Sequence, residues 1–338
     1  MSDTSYLSWP FFEEHHRTLA STLDAWAEQH MTALTINEHE DLDGTCVALV
    51  RALGDAGFTG YAVPASGGGN HEKLDVRTLC IIRETLARHN ALADFAFAMQ
   101  GLGSGPISLY GSEQQQTNYL NAVAKGQKIS AFSLSEPNAG SDVAAMTCAA
   151  ERDGDEWVLN GTKTWISNAG IADFYTVFAR SSDAGGAKGI SCFIVEAGTP
   201  GFEVTERIDL IAPHPLGTLQ FSNCRIPAEN LVGEEGRGFG IAMATLDVFR
   251  STVAAAALGM ARRSLDETLN YTADRDIFGG KLGDLQLVQA KIGEMALGID
   301  ASAFRIPRGL DKRLCGRPCH PRSCHGEIPR NRDRPTSH

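Results

Sequence analysis

The sequence lacks the two features that mark secreted and membrane-inserted chains. Its first residues, Met1-Ser2-Asp3-Thr4, contain neither a basic segment nor an apolar stretch, so we expect no signal peptide. No uninterrupted apolar run reaches the roughly 20 residues that a transmembrane helix needs. These absences predict a cytoplasmic protein that does not enter a membrane.

Positive charge is also scarce. The 338 residues include 30 Lys and Arg against 41 Asp and Glu, which gives a formal net charge of −11. A field of this sign favours neither a nucleic acid nor an anionic membrane surface as a partner. We therefore expect no binding to either.

Cysteines are isolated rather than clustered before residue 305. Each of the five stands alone, mostly beside apolar residues, and this pattern is typical of reduced cysteines in or near a core. They are Cys46, Cys80, Cys148, Cys192 and Cys224.

The rest of the composition is that of a globular protein with two or three domains. Hydrophobic residues make up 43% of the chain and charged residues 21%. Over residues 1–126, apolar side chains recur at spacings of three and four, which predicts helices at about 11–26, 47–54 and 75–92. The glycines and proline of residues 101–106 predict a break before another short helix.

Residues 127–233 change character. Short runs that alternate apolar and polar residues are separated by Gly, Pro and Asp, which predicts several short strands in a small antiparallel sandwich or barrel. Asn160-Gly161 is the strongest hairpin signal among them. Helical periodicity returns from residue 234, with one long helix over residues 241–276 and the start of a second over residues 285–297.

Two stretches of the predicted sheet stand out chemically. The first, Phe132-Ser133-Leu134-Ser135-Glu136-Pro137-Asn138-Ala139-Gly140-Ser141-Asp142, is a strand that ends in a turn of small polar residues. Unpaired N–H groups and hydroxyls in such a turn can hold a flat heterocycle or a phosphate. The second is Asn160-Gly161-Thr162-Lys163-Thr164-Trp165-Ile166-Ser167-Asn168. Taken separately, each is equally typical of an ordinary β-hairpin.

Together these stretches closely resemble motifs of the acyl-CoA dehydrogenase family. Three further family motifs follow in the expected order, at residues 225–233, 236–238 and 275–279. The resemblance covers residues 10–304. It implies an α+β multidomain fold with an N-terminal helical domain (1–126), a middle antiparallel β-barrel or sandwich domain (127–233) and an incomplete C-terminal four-helix-bundle domain (234–304). It also implies a homotetramer or dimer.

The resemblance implies an FAD-dependent enzyme. The family oxidises an acyl-CoA thioester to the 2-enoyl-CoA and passes electrons to an electron-transfer flavoprotein, and FAD carries the redox chemistry. Three residues are implied to lie along the isoalloxazine: Phe132, Leu134 and Ser135. The Ser135 hydroxyl and nearby N–H groups are implied to donate to its pyrimidine side. Trp165 is implied to cover one flavin face and Ser167 to bond near N5. Ser141 is implied to reach the FAD phosphate or the pantetheine chain.

Other implied contacts lie further along the chain. Arg275 matches the family arginine that pairs with the FAD pyrophosphate across a subunit interface, and a guanidinium fork suits a diphosphate. Phe278 and Gln286 match its companions near the adenosine half of FAD. Asp247 and Arg250 match positions that contact CoA.

The family's catalytic carboxylate has no counterpart in this sequence. Some members place their glutamate where this chain has Phe249, and most place it after a Gly-Gly-x-Gly stretch that is absent here; Glu327 lacks the matching context. The sequence therefore predicts no catalytic base, and two alternatives stay open. One is a catalytically inactive, truncated pseudoenzyme, and the other is an oxidase of the same fold, acting on acyl-CoA or a nitroalkane.

Residues 305–338 depart from the family altogether. Apolar periodicity ends near Phe304, Pro307 is expected to end the helix, and the remaining text is rich in Arg, Pro and Cys. We expect an aberrant, frame-shifted or truncated tail that is disordered. Its Cys and His spacing matches no standard zinc module, so no metal site is predicted.

Overall fold

The computed structural model describes the backbone of residues 4–310 and the side chains of residues 4–304. The predictions for the tail beyond residue 310 lie outside the described residues. The chain runs from helices into a β-sheet and back into helices, which confirms the predicted fold class. The helices are α1 (Glu14–Leu34), α2 (Leu42–Asp55), α3 (Val76–His89), α4 (Ala91–Tyr110), α5 (Glu113–Gln115), α6 (Asn121–Ala124), α7 (Gly238–Asp274) and α8 (Gln286–Leu310).

Eight strands form the main sheet in the spatial order β6-β7-β3-β2-β4-β5-β8, and β1 pairs with β4. β6 and β8 end the hydrogen-bonded path and do not pair with each other in the described residues, so a closed barrel is not confirmed. The sheet is also mixed, because β1 runs parallel to β4. The strands are β1 (Ser130–Ser133), β2 (Ala149–Asp153), β3 (Glu156–Ser167), β4 (Phe174–Arg180), β5 (Ile190–Glu196), β6 (Phe202–Arg207), β7 (Leu216–Pro227) and β8 (Leu231–Val232), while β9 (Asp276–Ile277) and β10 (Gly280–Lys281) form a separate ribbon.

The hairpin predicted at Asn160-Gly161 is wrong. Both residues lie inside the continuous strand β3, where the pairing register with β7 shifts between Leu159 and Gly161. Gly161 has φ +143°, and a Cβ there would stand 2.7 Å from the Cα of Cys148. The glycine therefore serves a bulge with a close backbone approach, which is the other common use of glycine in a strand.

The predicted break at residues 101–106 is also wrong. α4 runs without interruption through this segment, and Pro106 is buried inside it. Similarly, α8 continues past Pro307 to Leu310. A proline removes one hydrogen bond from a helix, but packing of the remaining turns can hold the helix together across that gap.

α7 is the central helix of the C-terminal region, and it packs on α3, α4 and α8. By length and composition alone, α7 could cross a membrane, although polar residues interrupt its apolar sequence. Of its most apolar window, 44% is buried inside the protein. α7 thus has the character of a core helix rather than of a membrane segment.

The five cysteines before residue 305 are free and buried, as predicted. Burial raises the pKa of each thiol, to about 12 for Cys46 and to about 11 for Cys148 and Cys224. High thiol pKa values make these cysteines packing residues with little thiolate at neutral pH.

Candidate active site

A bulge in β3 presents an aromatic ring to solvent. The pairing of β3 with β7 shifts between Lys163 and Ile166, and Trp165 at the shift has φ +60°. This left-handed conformation is rare for a bulky side chain and stores local strain. It leaves 58% of Trp165 exposed, at the rim of a cavity.

The end of β1 lies directly beside this bulge. The backbone N–H of Thr164 donates to the carbonyl oxygen of Ser135 at 3.0 Å. Phe132 packs its ring against Phe178 with the ring centres 5.0 Å apart. The hydrogen bond aligns the first motif with the second, so their side chains reach the same cavity.

The turn after β1 carries further polar groups. Glu136 and Ala139 exchange backbone hydrogen bonds, which closes a tight turn, and the chain then passes through the exposed Ser141 and Asp142. A short 3-10 helix, Val143–Ala145, follows at once. This route brings Ser141 to the lining of the cavity.

Two helices supply the apolar wall of the cavity. Met99 and Leu102 come from α4, while Phe239, Met243 and Leu246 come from one face of α7. The α7 residues are spaced four and three apart, as expected of side chains that share one helix face. The wall keeps one side of the cavity free of charged side chains.

The cavity has a volume of about 470 Å³, a size typical of small-molecule sites. It brings together six residues that the sequence analysis named as flavin contacts: Phe132, Leu134, Ser135, Ser141, Trp165 and Ser167. Sequence reasoning missed Asp142, Val143, Ala144, Ile166, Phe239, Met243 and Leu246, although the helical spacing of the last three could have revealed them. The two motifs are therefore one site.

Beneath the cavity lies a buried ion pair that sequence reasoning also missed. The Nζ of Lys163 stands 2.8 Å from Oε1 of Glu136, with side chains 0% and 4% exposed. Burial opposes the ionisation of Glu136, but Lys163 and two backbone N–H donors outweigh it and lower its pKa. The carboxylate is thus ionised and fully engaged at neutral pH.

The other predicted site residues are not part of this cavity. Asp247 and Arg250 pair with each other at 3.2 Å on the exposed side of α7. Three further predicted residues follow the C-terminal end of α7: Arg275, Phe278 and Gln286. All three side chains are exposed, and Phe278 is 92% exposed. Within one described chain they are separate from the cavity.

Phe249 fills space between α4 and α7 instead of presenting an acid. It is 6% exposed, and a Cβ added to Gly101 would lie 2.5 Å from its ring. Among the side chains that line the cavity within residues 4–304, Asp142 alone carries a carboxylate. Where some family members have a glutamate, this chain therefore has an aromatic ring packed against α4.

The donor set fits the flavin that the sequence predicts. A planar tricyclic ring needs flat apolar contact on its faces and hydrogen-bond donors along one edge. Trp165, Phe132 and Leu134 offer the former, while Ser135 and Ser167, which line the same cavity, carry hydroxyl donors. The site suits such a ring better than it suits a metal ion, since the lining residues that the structure describes include a single carboxylate and neither His nor Cys.

Comparison with known proteins gives a consistent result along the chain. Residues 13–127 match the description "Acyl-CoA dehydrogenase, N-terminal domain", residues 131–224 match "Acyl-CoA dehydrogenase, middle domain", and residues 236–311 match "Acyl-CoA dehydrogenase, C-terminal domain". The last match continues beyond residue 304, where the sequence analysis expected the resemblance to stop.

Individual relatives agree with these matches. The probable acyl-CoA dehydrogenase FadE25 of Mycobacterium tuberculosis is 37% identical over 307 residues, which are 90% of this chain and 78% of that relative. The structure of butyryl-CoA dehydrogenase from Megasphaera elsdenii is 32% identical with a TM-score of 0.82, and the match spans 91% of this chain and 81% of the butyryl-CoA dehydrogenase chain. A glutaryl-CoA dehydrogenase from Mycobacterium smegmatis in complex with FADH2 is 28% identical with a TM-score of 0.80, covering 92% and 78%.

Proposed function

Because this chain belongs to the acyl-CoA dehydrogenase family, we propose that it binds FAD in the described cavity and oxidises an acyl-CoA thioester to the 2-enoyl-CoA. Electrons then pass to an electron-transfer flavoprotein. The observation that carries this proposal is the cavity itself, which collects six named residues from two motifs separated along the chain. The FADH2 complex of the Mycobacterium smegmatis relative supports the choice of flavin.

The chain's own residues divide the work of binding. Trp165 would cover one face of the ring, and Phe132 and Leu134 would lie along it, which leaves the other face to the acyl group. The hydroxyls of Ser135 and Ser167 would donate hydrogen bonds to the ring edge, where fixed donors favour negative charge on a reduced flavin. Ser141, at the exposed turn, is placed to bind a phosphate or the pantetheine chain. Bound FAD would accept the β-hydrogen of the thioester as hydride. The α-proton would have to pass to water or to Asp142, the one carboxylate among the described lining residues.

The acyl group is proposed to lie along the apolar wall formed by α4 and α7. Met99, Leu102 and Leu246 would hold it against the ring, and Asp247 with Arg250 on the outer side of α7 would contact CoA. Arg275, Phe278 and Gln286 would serve the FAD site of a second copy, because they are exposed and separate from the cavity of their own chain. A homo-oligomer is therefore part of the proposal.

A second candidate function is flavin binding without dehydrogenation. It is favoured by the buried Phe249 and by the single carboxylate, Asp142, in the lining that the structure describes. Loss of a general base typically lowers the rate of the chemical step by about 10²- to 10⁴-fold. Binding and turnover must therefore be measured separately.

The first test is titration of the purified chain with FAD, followed by absorbance and flavin fluorescence. We expect one FAD per chain. Addition of butyryl-CoA without oxygen should then bleach the flavin band, and an electron-transfer flavoprotein should restore it. Bleaching with peroxide formation in air would instead indicate an oxidase, and a bound flavin that never bleaches would indicate the non-catalytic protein.

A matched pair of variants tests the location of the site. Ser135→Ala removes a proposed donor and should weaken FAD binding by roughly 2- to 10-fold, the usual value of one hydrogen bond. Ser133→Ala is the control, because the Ser133 hydroxyl is buried, has no hydrogen-bond partner among the described residues and does not line the cavity. Absence of FAD binding by the wild-type chain, or equal loss in both variants, would refute the proposal.

A further inference from the structure

Lys163 is buried completely, which is rare for lysine unless its charge is paired. Its Nζ donates to Oε1 of Glu136 at 2.8 Å and to the carbonyl oxygen of Leu134 at 3.0 Å. The sulfur of Met146 lies 3.7 Å away on another side. One ammonium group thus ties β3 to the end of β1.

Glu136 extends this connection to a third segment. Its Oε2 accepts from the backbone N–H of Thr147 at 2.7 Å and from the hydroxyl of the same residue at 3.0 Å. Its Oε1 also accepts from the backbone N–H of Cys148 at 3.0 Å. Glu136 and Lys163 therefore join three segments that are distant in sequence: residues 134–136, residues 146–148 and the bulged part of β3.

These bonds are made directly behind the cavity. Leu134 and Ser135 line the cavity on one side of Glu136, while Trp165 lines it two residues after Lys163. The hydrogen bond from the Thr164 N–H to the Ser135 carbonyl, at 3.0 Å, lies between them. Any change in the separation of Lys163 and Glu136 would be transmitted to Ser135 and Trp165 within one or two residues.

We propose that Lys163 and Glu136 are positioning residues for the cofactor site: their ion pair fixes the distance between the Ser135 hydroxyl and the Trp165 ring. This inference rests on the proposed function, because it assigns the cavity to FAD. Neither residue touches the cavity, so both would act through the residues that do.

Replacing both residues at once separates a positioning role from a purely stabilising one. Replacing both members of a buried ion pair by neutral side chains of similar size is often neutral for stability, whereas removing one partner leaves a buried charge unpaired. The double variant Lys163→Met/Glu136→Gln therefore removes the charges together. The glutamine oxygen can still accept from one of the two backbone N–H groups.

For this double variant we expect a urea midpoint lowered only modestly, because one backbone N–H loses its acceptor. We also expect FAD binding weakened by about 10-fold or more, and an altered visible circular dichroism spectrum of bound flavin. The expected loss is of the order that residues hydrogen-bonded to metal ligands contribute to metal affinity, here applied to a cofactor site. FAD affinity within about twofold of wild type would overturn the proposal. A double variant that fails to fold would also contradict it, because the pair would then be a requirement of the fold.

A second buried ion pair provides the matched control. Arg262 donates to Glu84 at 2.6 Å with side chains 7% and 9% exposed, and neither residue lines the cavity. The corresponding double variant, Arg262→Met/Glu84→Gln, should leave the FAD dissociation constant unchanged. Equal weakening in the two double variants would mean that any loss of a buried pair affects binding, and would overturn a specific positioning role.

Amide hydrogen exchange of the apoprotein gives a readout that does not need FAD. In the Lys163→Met/Glu136→Gln variant, exchange should accelerate at residues 134–136 and 163–167 while the helices keep wild-type protection. Unchanged exchange there would overturn the inference. A wild-type chain that binds no FAD would refute the proposed function, and exchange would still decide whether the pair holds the two segments together.

Discussion

The ion pair of Arg83 with Asp94 offers the most direct test of what holds the helical regions together. The guanidinium of Arg83 donates to both carboxylate oxygens of Asp94, at 2.8 and 2.7 Å, and to the hydroxyl of Thr252 at 2.9 Å. The side chains of Arg83 and Asp94 are 11% and 5% exposed. One residue of α3 thus binds both α4 and α7, the two helices that form the apolar wall of the cavity.

Replacing Arg83 by Met leaves Asp94 buried without its counter-charge. Loss of one member of a buried pair costs about 3–5 kcal/mol, because the remaining charge stays desolvated. Burial already raises the pKa of Asp94, and Arg83 opposes that rise. The variant should raise this pKa further, since the opposing charge is gone.

The sign of the pH dependence follows from this shift. A carboxyl whose folded pKa lies above its unfolded value of 3.8 favours folding in its protonated form, and this contribution is lost as the pH rises through the folded pKa. The deficit of Arg83→Met should therefore be largest at neutral pH and smaller in acid. Replacing Arg83 by Met and Asp94 by Leu together should recover most of the loss.

The assay is urea denaturation followed by far-ultraviolet circular dichroism at pH 7 and pH 5. The control is Arg225→Met, because Arg225 pairs with Asp153 and Glu156 on the surface and its loss should barely move the urea midpoint. The reasoning would be refuted if Arg83→Met lost less than about 1 kcal/mol, well below the range for buried pairs. An equal deficit at both pH values would refute the assignment of the cost to Asp94.

Three further predictions concern Asp75, Gly259 and Gly293. Burial opposes ionisation of Asp75, but hydrogen bonds from His16 and Arg77 outweigh it and hold the pKa of this carboxyl well below 3.8. Stability should therefore fall as the pH drops below about 4. Asp75→Asn should make the urea midpoint less dependent on pH in that range. A Cβ at Gly259 would lie 2.1 Å from the Glu84 carbonyl oxygen, so Gly259→Ala should destabilise α7 against α3 by about 1–3 kcal/mol. Gly293→Ala in α8 meets nothing within 4 Å and should stabilise by up to about 1 kcal/mol in the same urea assay; a loss there would contradict this use of the packing distances.

Local pattern predicted the longest helix well. Periodicity indicated one helix over residues 241–276, and α7 spans Gly238–Asp274, because its core-facing residues recur at helical spacing from Gly238 to Arg262. The order of helices, strands and helices followed in the same way. The cavity residues of the two motifs were predictable through family resemblance, since each motif is short and continuous in sequence.

Contacts between distant segments were not predictable from local pattern. Lys163 appeared within a motif, yet its partner Glu136 lies in the other motif, and the buried pair exists only because the turn after β1 packs against β3. Asn160-Gly161 was predicted as a hairpin because the same dipeptide suits a turn and a bulge, and the choice depends on the close approach of Cys148. In both cases the deciding atom belongs to another segment of the chain, outside the local sequence pattern.

α4 illustrates how distant contacts can reverse a local preference. Each glycine in a helix costs about 1 kcal/mol relative to alanine, so Gly101, Gly103 and Gly105 predict a break. In the structure, a Cβ at these positions would lie 2.5 Å from the Phe249 ring, 2.5 Å from the Ser130 hydroxyl and 2.6 Å from a Thr245 methyl. The missing side chains let α4 approach both β1 and α7, and close packing offsets the loss of helix propensity. Gly101, Gly103 and Gly105, which locally disfavour a helix, therefore determine how closely α4 packs against α7 and against β1 beside the cavity.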